Sequence, residues 1–434
     1  MSTELNTPEA TSERYRNLRW NYNCLRLDGT FFNFGSSFIE ANTMFPTFVS
    51  LLTDSPLLIG LVSTVRTAGY LLPQLLVAAI AHGRPLKKPI LAVGGLVNRL
   101  SLLIIVLAAY FLANRPTVGL PVFFLGLVLF SLSDGIGGVP WVDIVARAIP
   151  NNRRGRLFGS MMLFGGLGSF TAGFIITAIL SHPRLPFPAN YALNFGCGLV
   201  LLSISYVCTM LVREPVPERP PTRLAFAAFF RRLPDLWRAN LAFRRMIGIR
   251  LALSSFYLAL PFYAVYARTV LGFPPSIVGI FVSAQMAGSI LGGLLWGYLG
   301  DHHGNRLVIR LVGLTALSTP LLALAAGLAL GAHLRWLAVA FYLLLFASLG
   351  ATFNGVWMGF TNYLIEIVDD DNRPTFIGLM NTMVAPLAFL PILGGWLVRF
   401  LNYPQLFGVT AILVFSGFLW GLRLPEPRHQ THLT

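Results

Sequence analysis

Charge is what this sequence has least of. Only 11% of its 434 residues are charged, where a soluble protein carries about 25%. That scarcity, with 55% hydrophobic residues and a mean hydropathy of +0.68, excludes an ordinary water-soluble domain. Lysine occurs only at Lys87 and Lys88, followed by Pro89, so no GK[ST] phosphate loop exists and ATP-driven work by this chain is excluded. The three cysteines, Cys24, Cys197 and Cys208, lie far apart without a CxxC, which argues against a disulfide framework or a zinc site. Neither HExxH nor GxSxG appears, and GIGGVP at 135–140 lacks the final glycine of a dinucleotide fingerprint. No metal or cofactor is expected. The first twenty residues hold no apolar core, so they do not read as a signal peptide.

Long apolar runs are what is present. A spanning helix needs about 20 mostly apolar residues, and twelve such runs are predicted. The first six lie near 27–52, 56–81, 89–113, 118–148, 155–181 and 188–212. The second six lie near 246–271, 275–300, 305–331, 334–367, 374–400 and 403–424. The expected class is an all-α integral membrane protein. The net charge of +15 could suggest nucleic acid, but its distribution follows topology. Placing both termini and the even-numbered loops inside collects 24 Lys and Arg there, against 5 in the opposite loops and 3 within spans. That bias predicts a multi-pass protein of the bacterial inner-membrane type with both termini cytoplasmic, and no nucleic-acid partner.

The chain divides in two. Residues 1–26 form a tail, 27–212 a six-helix half, 213–245 a linker, 246–424 a second half and 425–434 a final tail. The linker begins REPVPERPP and continues TRLAFAAFFRRLPDLWRANLAFRRM. Its second part mixes apolar residues with arginine, as an interfacial helix does. The halves repeat at an offset of 219 residues: Gly60 matches Gly279, Gly69 matches Gly288, and the stretch from Arg154 to Gly159 matches that from Arg373 to Gly378. A parallel repeat of this kind relates two bundles by an axis along the membrane normal.

Between spans 8 and 9 stands GYLGDHHGNR, Gly297 to Arg306. It resembles the G-x-L-x-D-x-x-G-x-R loop of the major facilitator superfamily. Gly297 suits close helix approach, Asp301 a helix-capping carboxylate, and Gly304 a tight turn. Arg306 supplies a cation. In the first half the counterpart, Ala78 to Lys88, has His82 where the signature has Asp. The resemblance implies alternating access, with this loop holding the bundles together on the inner side. It also implies that spans 1, 4, 7 and 10 line a central cavity. Span 11, Gly378 to Leu397, carries prolines and paired glycines that resemble the bending helices of exporters in that superfamily, whereas glycine-rich span 5 lacks the proline.

Four charges are placed at mid-depth, all in the first half: Glu40, Arg66, Arg99 and Asp134. Each costs roughly 2.5–3.5 kcal/mol at the bilayer centre. Span 1 aligns Asn33, Ser36, Ser37, Glu40, Thr43 and Thr47 in one stripe, and span 2 aligns Ser63, Arg66, Thr67, Tyr70 and Gln74. Glu40 is expected to be a proton or substrate site, with Arg66 beside it. Asp134 is read as functional or structural with equal weight, and Arg99 as structural, buried against a carboxylate. The second half offers neutral groups: Tyr257, Gln285, Asn354, Trp357 and Asn381. Together they suggest a wall for a neutral or amphipathic molecule.

The favoured function is secondary transport of a small molecule by a monomer in the bilayer. Proton-coupled export of hydrophobic or amphipathic compounds, as an antiporter, leads, and uptake of sugars or organic solutes is the alternative. A membrane enzyme would need a clustered catalytic set, and a non-transporting sensor or scaffold would tolerate loss of the acids.

Overall fold

The computed structural model describes residues 16–82, 86–215, 237, 240–368 and 373–426. The interior of the linker lies outside these residues, as do the ends of both tails and Gly83 to Pro85 of the first-half loop. Every described element is helical, as apolar segments without water to satisfy their backbone require. Eleven helices among the described residues are long and apolar enough to cross a membrane.

The first half opens with α1 (Leu18–Ser37) and α2 (Met44–Leu52), followed by α3 (Pro56–His82) and α4 (Lys88–Leu107), which continues through a wider turn at Ala108–Leu112. Then come α5 (Pro116–Ala148), α6 (Asn151–Ser181) and α7 (Ala189–Met210). The second half has α8 (Leu241–Leu253), a tight turn at Ser254–Leu258, α9 (Phe262–Thr269), α10 (Ile277–His303), α11 (Asn305–Gly331) and α12 (Arg335–Ile367). It ends with α13 (Arg373–Val384), a second tight turn at Ala385–Phe389, α14 (Leu390–Leu397) and α15 (Tyr403–Gly421).

The expected first span is not one helix. It starts nine residues early, at Leu18, and breaks between Ser37 and Met44, so neither piece alone meets the length and hydropathy of a span. Its repeat partner breaks too. Residues 38–43, moved by 219, fall on 257–262, where α8 gives way to α9 through Ala259, Leu260 and Pro261. The third interruption is in span 11, where Pro386 and Pro391 remove backbone donors. Its counterpart α6, without proline, is continuous.

The chain forms two compact units: described residues of Met1–Glu40 with Val65–Ala228, and of Ala41–Thr64 with Phe229–Thr434. The segment Ala41–Thr64, which the sequence reading placed in the first half, thus packs within the second unit. There α2 lies along α9, and Arg268 Nη2 donates to the Ser50 carbonyl at 2.8 Å and to its hydroxyl at 2.9 Å. A Cβ on Gly60 would strike the Pro391 carbonyl, and one on Gly395 would strike that of Pro56. The Thr64 hydroxyl accepts from the Ile392 N–H at 3.1 Å, just past Pro391 where the regular ladder is interrupted.

Candidate functional site

In the first unit α3 crosses α5 with their backbones close. A Cβ on Gly69 would come within 2.6 Å of the Ser131 Cβ, and one on Gly135 would strike the Tyr70 carbonyl. That approach brings Arg66 and Asp134 together, Nη2 to Oδ2 at 2.6 Å. The guanidinium also covers the Phe130 ring, 5.0 Å from its centroid. Their side chains are 22% and 16% exposed, so the pair is shielded yet reachable. One turn further along α3, Tyr70 and Gln74 extend the polar patch: a Cβ on Gly138 would lie 3.5 Å from the Tyr70 hydroxyl and 3.9 Å from Gln74 Nε2. The sequence reading set Arg66 against Glu40. The structure gives it the span-4 carboxylate, and Glu40 stands in the break between α1 and α2, at the boundary of the two units.

Arg99 is held by oxygens of the neighbouring helix and its own, not by a carboxylate as expected. It donates to the Leu202 carbonyl through Nε at 3.1 Å and Nη2 at 2.6 Å, and to Asn98 Oδ1 at 3.2 Å, over the Tyr206 ring. The residue that sequence reasoning missed is Asp28. It is 5% exposed and accepts from Trp141 Nε1 at 2.7 Å and from the Ser205 hydroxyl at 2.6 Å, tying α1 to α5 and α7. Both donors are neutral. Asn33, expected in the polar stripe, turns back to the Gly29 carbonyl of its own helix at 2.7 Å.

The second unit repeats the crossing. A Cβ on Gly288 would strike the Ala347 carbonyl, and one on Gly350 that of Gln285. Gln285 is buried in this seam. Asn354 donates from α12 to the Ser289 carbonyl of α10 at 3.2 Å. Tyr257 lies against Phe353, centroids 5.9 Å apart. Trp357 is 65% exposed, and Asn381 on α13 is exposed as well. The neutral groups therefore divide, with Tyr257 and Asn354 meeting neighbouring helices while Trp357 and Asn381 present open faces. The second-half wall is also not wholly neutral, because Arg250 enters it and lies 5.6 Å from the Phe360 centroid.

The loop after α10 turns at Gly304, whose φ of +87° with ψ of 153° suits glycine alone. Gly297 is not a point of close approach: its nearest neighbour is Met358 Cε, 3.9 Å from a built Cβ. Arg306 pairs with Glu426 at 3.2 Å, Asn305 donates to Glu366 at 2.9 Å, and Asp301 is exposed in the last turn of α10. A related clasp ends the first half. Glu214, with a side chain 3% exposed, accepts from the backbone N–H groups of Lys87 at 2.8 Å and Lys88 at 2.9 Å, and Arg147 stands 3.8 Å away. A carboxylate at a helix N-terminus meets unpaired donors and the positive dipole end. Burial pushes the Lys87 ammonium below its ordinary pKa, with Asp143 and Glu214 opposing and Arg147 adding to the shift. Both clasps use a glutamate followed by proline just past the half's last helix, Glu214–Pro215 and Glu426–Pro427.

The described residues form a polytopic all-helical protein whose helix crossings repeat and whose spanning helices carry the Arg66–Asp134 ion pair. A sequence model of the Major Facilitator Superfamily matches residues 29–274 and 245–434, and the chain belongs to that superfamily. Solved structures similar in fold include a D-xylose–proton symporter (TM-score 0.72, 14% identity, 94% of this chain and 98% of that one). A nucleoside transporter matches at TM-score 0.71 and 14% identity, over 93% of this chain and 100% of that one. A bacterial homologue of the iron transporter ferroportin, in an inward-facing state, gives 0.67 and 14%, over 94% and 98%. No curated protein sequence matches significantly.

Proposed function

We propose that this chain is a proton-coupled secondary transporter that exports small hydrophobic or amphipathic molecules. In this reading twelve spans form two six-helix halves, 27–212 and 246–424, joined by an inner linker, and a monomer works in the inner membrane with both termini cytoplasmic. The observation that carries it is the Arg66–Asp134 pair, two opposite charges on crossing helices, shielded but reachable. A carboxylate inside a membrane is costly when its cation moves away. Protonation then offers the cheaper state, so opening and closing of the pair would load and release a proton. Glu40, in the break between α1 and α2 where the chain passes from one compact unit to the other, is the second acid placed to respond to such motion. Within the first unit, Tyr70 and Gln74 add aromatic and amide groups to the pair for a substrate to meet.

The test is purified protein in liposomes carrying a pH-sensitive dye, offered a panel of amphipathic compounds with the pH gradient set in each direction. Compound-dependent proton movement is expected in the wild type and its loss in Asp134→Asn. Compound flux that ignores the gradient in both proteins would defeat the proton role. No flux of any compound would favour a sensor or scaffold.

A further inference from the structure

Among the described residues, Arg250 is a cation without an anionic counterpart. It stands nine residues into α8, about 14 Å along the helix, and the whole residue is part-buried. Its Nε and Nη1 are shut off from solvent and have no hydrogen-bond partner among the described residues. Arg66, Arg99 and Arg310, by contrast, each reach an oxygen. The guanidinium faces the Phe360 ring at 5.6 Å. Tyr257 stands nearby on the same segment, its ring against Phe353, and no carboxylate among the described residues pairs with Arg250.

The surroundings are regular. Arg250 and Tyr257 are seven residues apart on one chain segment, and Phe360 and Phe353 are seven apart on α12. Arg250 meets Phe360, and Tyr257 meets Phe353, so the two segments run oppositely with matched contacts. Phe256 adds a further edge contact to Phe353 at 5.6 Å. The result is one cation at the foot of an aromatic wall. A guanidinium with two of its nitrogens buried and without acceptors is costly, and a transporter gains from keeping it only if a ligand supplies the missing oxygens. Arginine's planar fork suits carboxylate, phosphate or sulfonate oxygens.

We propose that Arg250 anchors an anionic group, and that the molecule carrying it has an aromatic or apolar body lying along the part-exposed Tyr257 and Phe353, while the buried Phe360 ring backs the guanidinium. The inference rests on the transport reading and narrows its substrate class to amphipathic organic anions. The same chemistry could come from a lipid headgroup phosphate, and the experiment separates the two.

Lipid-free protein in neutral detergent is melted alone and with benzoate, phenyl phosphate or benzenesulfonate, with benzyl alcohol as the uncharged control. The anions are expected to raise the melting temperature of the wild type, and benzyl alcohol is not. Arg250→Met should melt higher than the wild type without ligand, because the lone charge is gone, and its anion affinity should fall about ten- to a hundred-fold. Arg250→Lys should retain part of the response. A lower melting temperature for Arg250→Met, or equal anion stabilisation in both proteins, overturns the proposal. Stabilisation by phosphatidylglycerol nanodiscs alone, with no response to soluble anions, overturns the substrate assignment in favour of lipid. Anion binding without flux in liposomes would defeat the transport reading and leave this site standing. Unchanged anion flux in Arg250→Met would defeat the site and leave transport standing.

Discussion

Neutralising one side of the Arg66–Asp134 pair should be worse than removing both. At an effective dielectric near 20, opposite charges about 4 Å apart attract by roughly 4 kcal/mol. Desolvation opposes much of that, and breaking a fully buried pair costs about 3–5 kcal/mol. These side chains keep 22% and 16% of their exposure, and the Phe130 face retains some hold on the guanidinium. A loss of about 2 kcal/mol for Asp134→Asn is therefore reasonable after discounting for screening. At about 2–4 °C per kcal/mol for a body of this size, the melting temperature should drop by roughly 4–8 °C. The double variant Arg66→Met with Asp134→Leu exchanges the pair for apolar volume and should recover most of the loss, because no unpaired charge remains. Gradient-driven flux should be absent from both single variants and from the double. Thermal melting in detergent reads the first effect, and liposome flux reads the second. Additive melting losses, with the double variant the least stable, would refute the pairing argument. Gradient-driven flux surviving in Asp134→Asn would refute the coupling.

Glu40→Gln should flatten the pH dependence of transport; an unchanged pH profile of flux counts against it. Gly60→Leu should loosen the packing of Ala41–Thr64 on α14, because overpacking costs about 1–3 kcal/mol; faster proteolysis between α2 and α3 would report it, and wild-type protection would contradict it. Glu214→Gln weakens two charge-assisted hydrogen bonds at the start of α4 and should cost about 1–3 kcal/mol, read as a lower melting temperature, whereas a wild-type melt would show the clasp to be idle.

Much of the architecture was readable because apolar length is a strong signal and the 219-residue repeat aligned the halves. The polar face of α3 was readable too, since Arg66, Tyr70 and Gln74 recur at helical spacing. Less legible was the continuity of span 1. The stripe from Asn33 to Thr47 assumes an unbroken helix, and the break at 38–43 takes Glu40 out of that register. Hydropathy set the start of span 1 at Leu27, so Asp28 looked like a boundary residue, when it lies eleventh in a helix that begins at Leu18. Glu214 fell in the segment assigned to the linker, where composition suggested no contact. Arg250 was counted among the three arginines within spans, but spacing alone did not show that Phe360 would stand opposite it. Partners for amides such as Asn33 and Asn354 depend on which neighbour stands opposite, and spacing along one helix carries no such information.

The hairpin from Ala41 to Thr64 has a consequence for how the protein is made. It leaves the ribosome among the first segments, yet the other described residues of the body it joins begin only at Trp237. Until those later helices are synthesised, the hairpin waits without its final neighbours, and Gly60 and Thr64 face either lipid or a caretaker protein. The same borrowing constrains dissection. Cutting the chain within its linker yields two pieces, and the later piece lacks a segment that its own compact body includes. Expressed alone, that fragment should be the less soluble and more quickly degraded of the two, and supplying the first fragment in trans should rescue it.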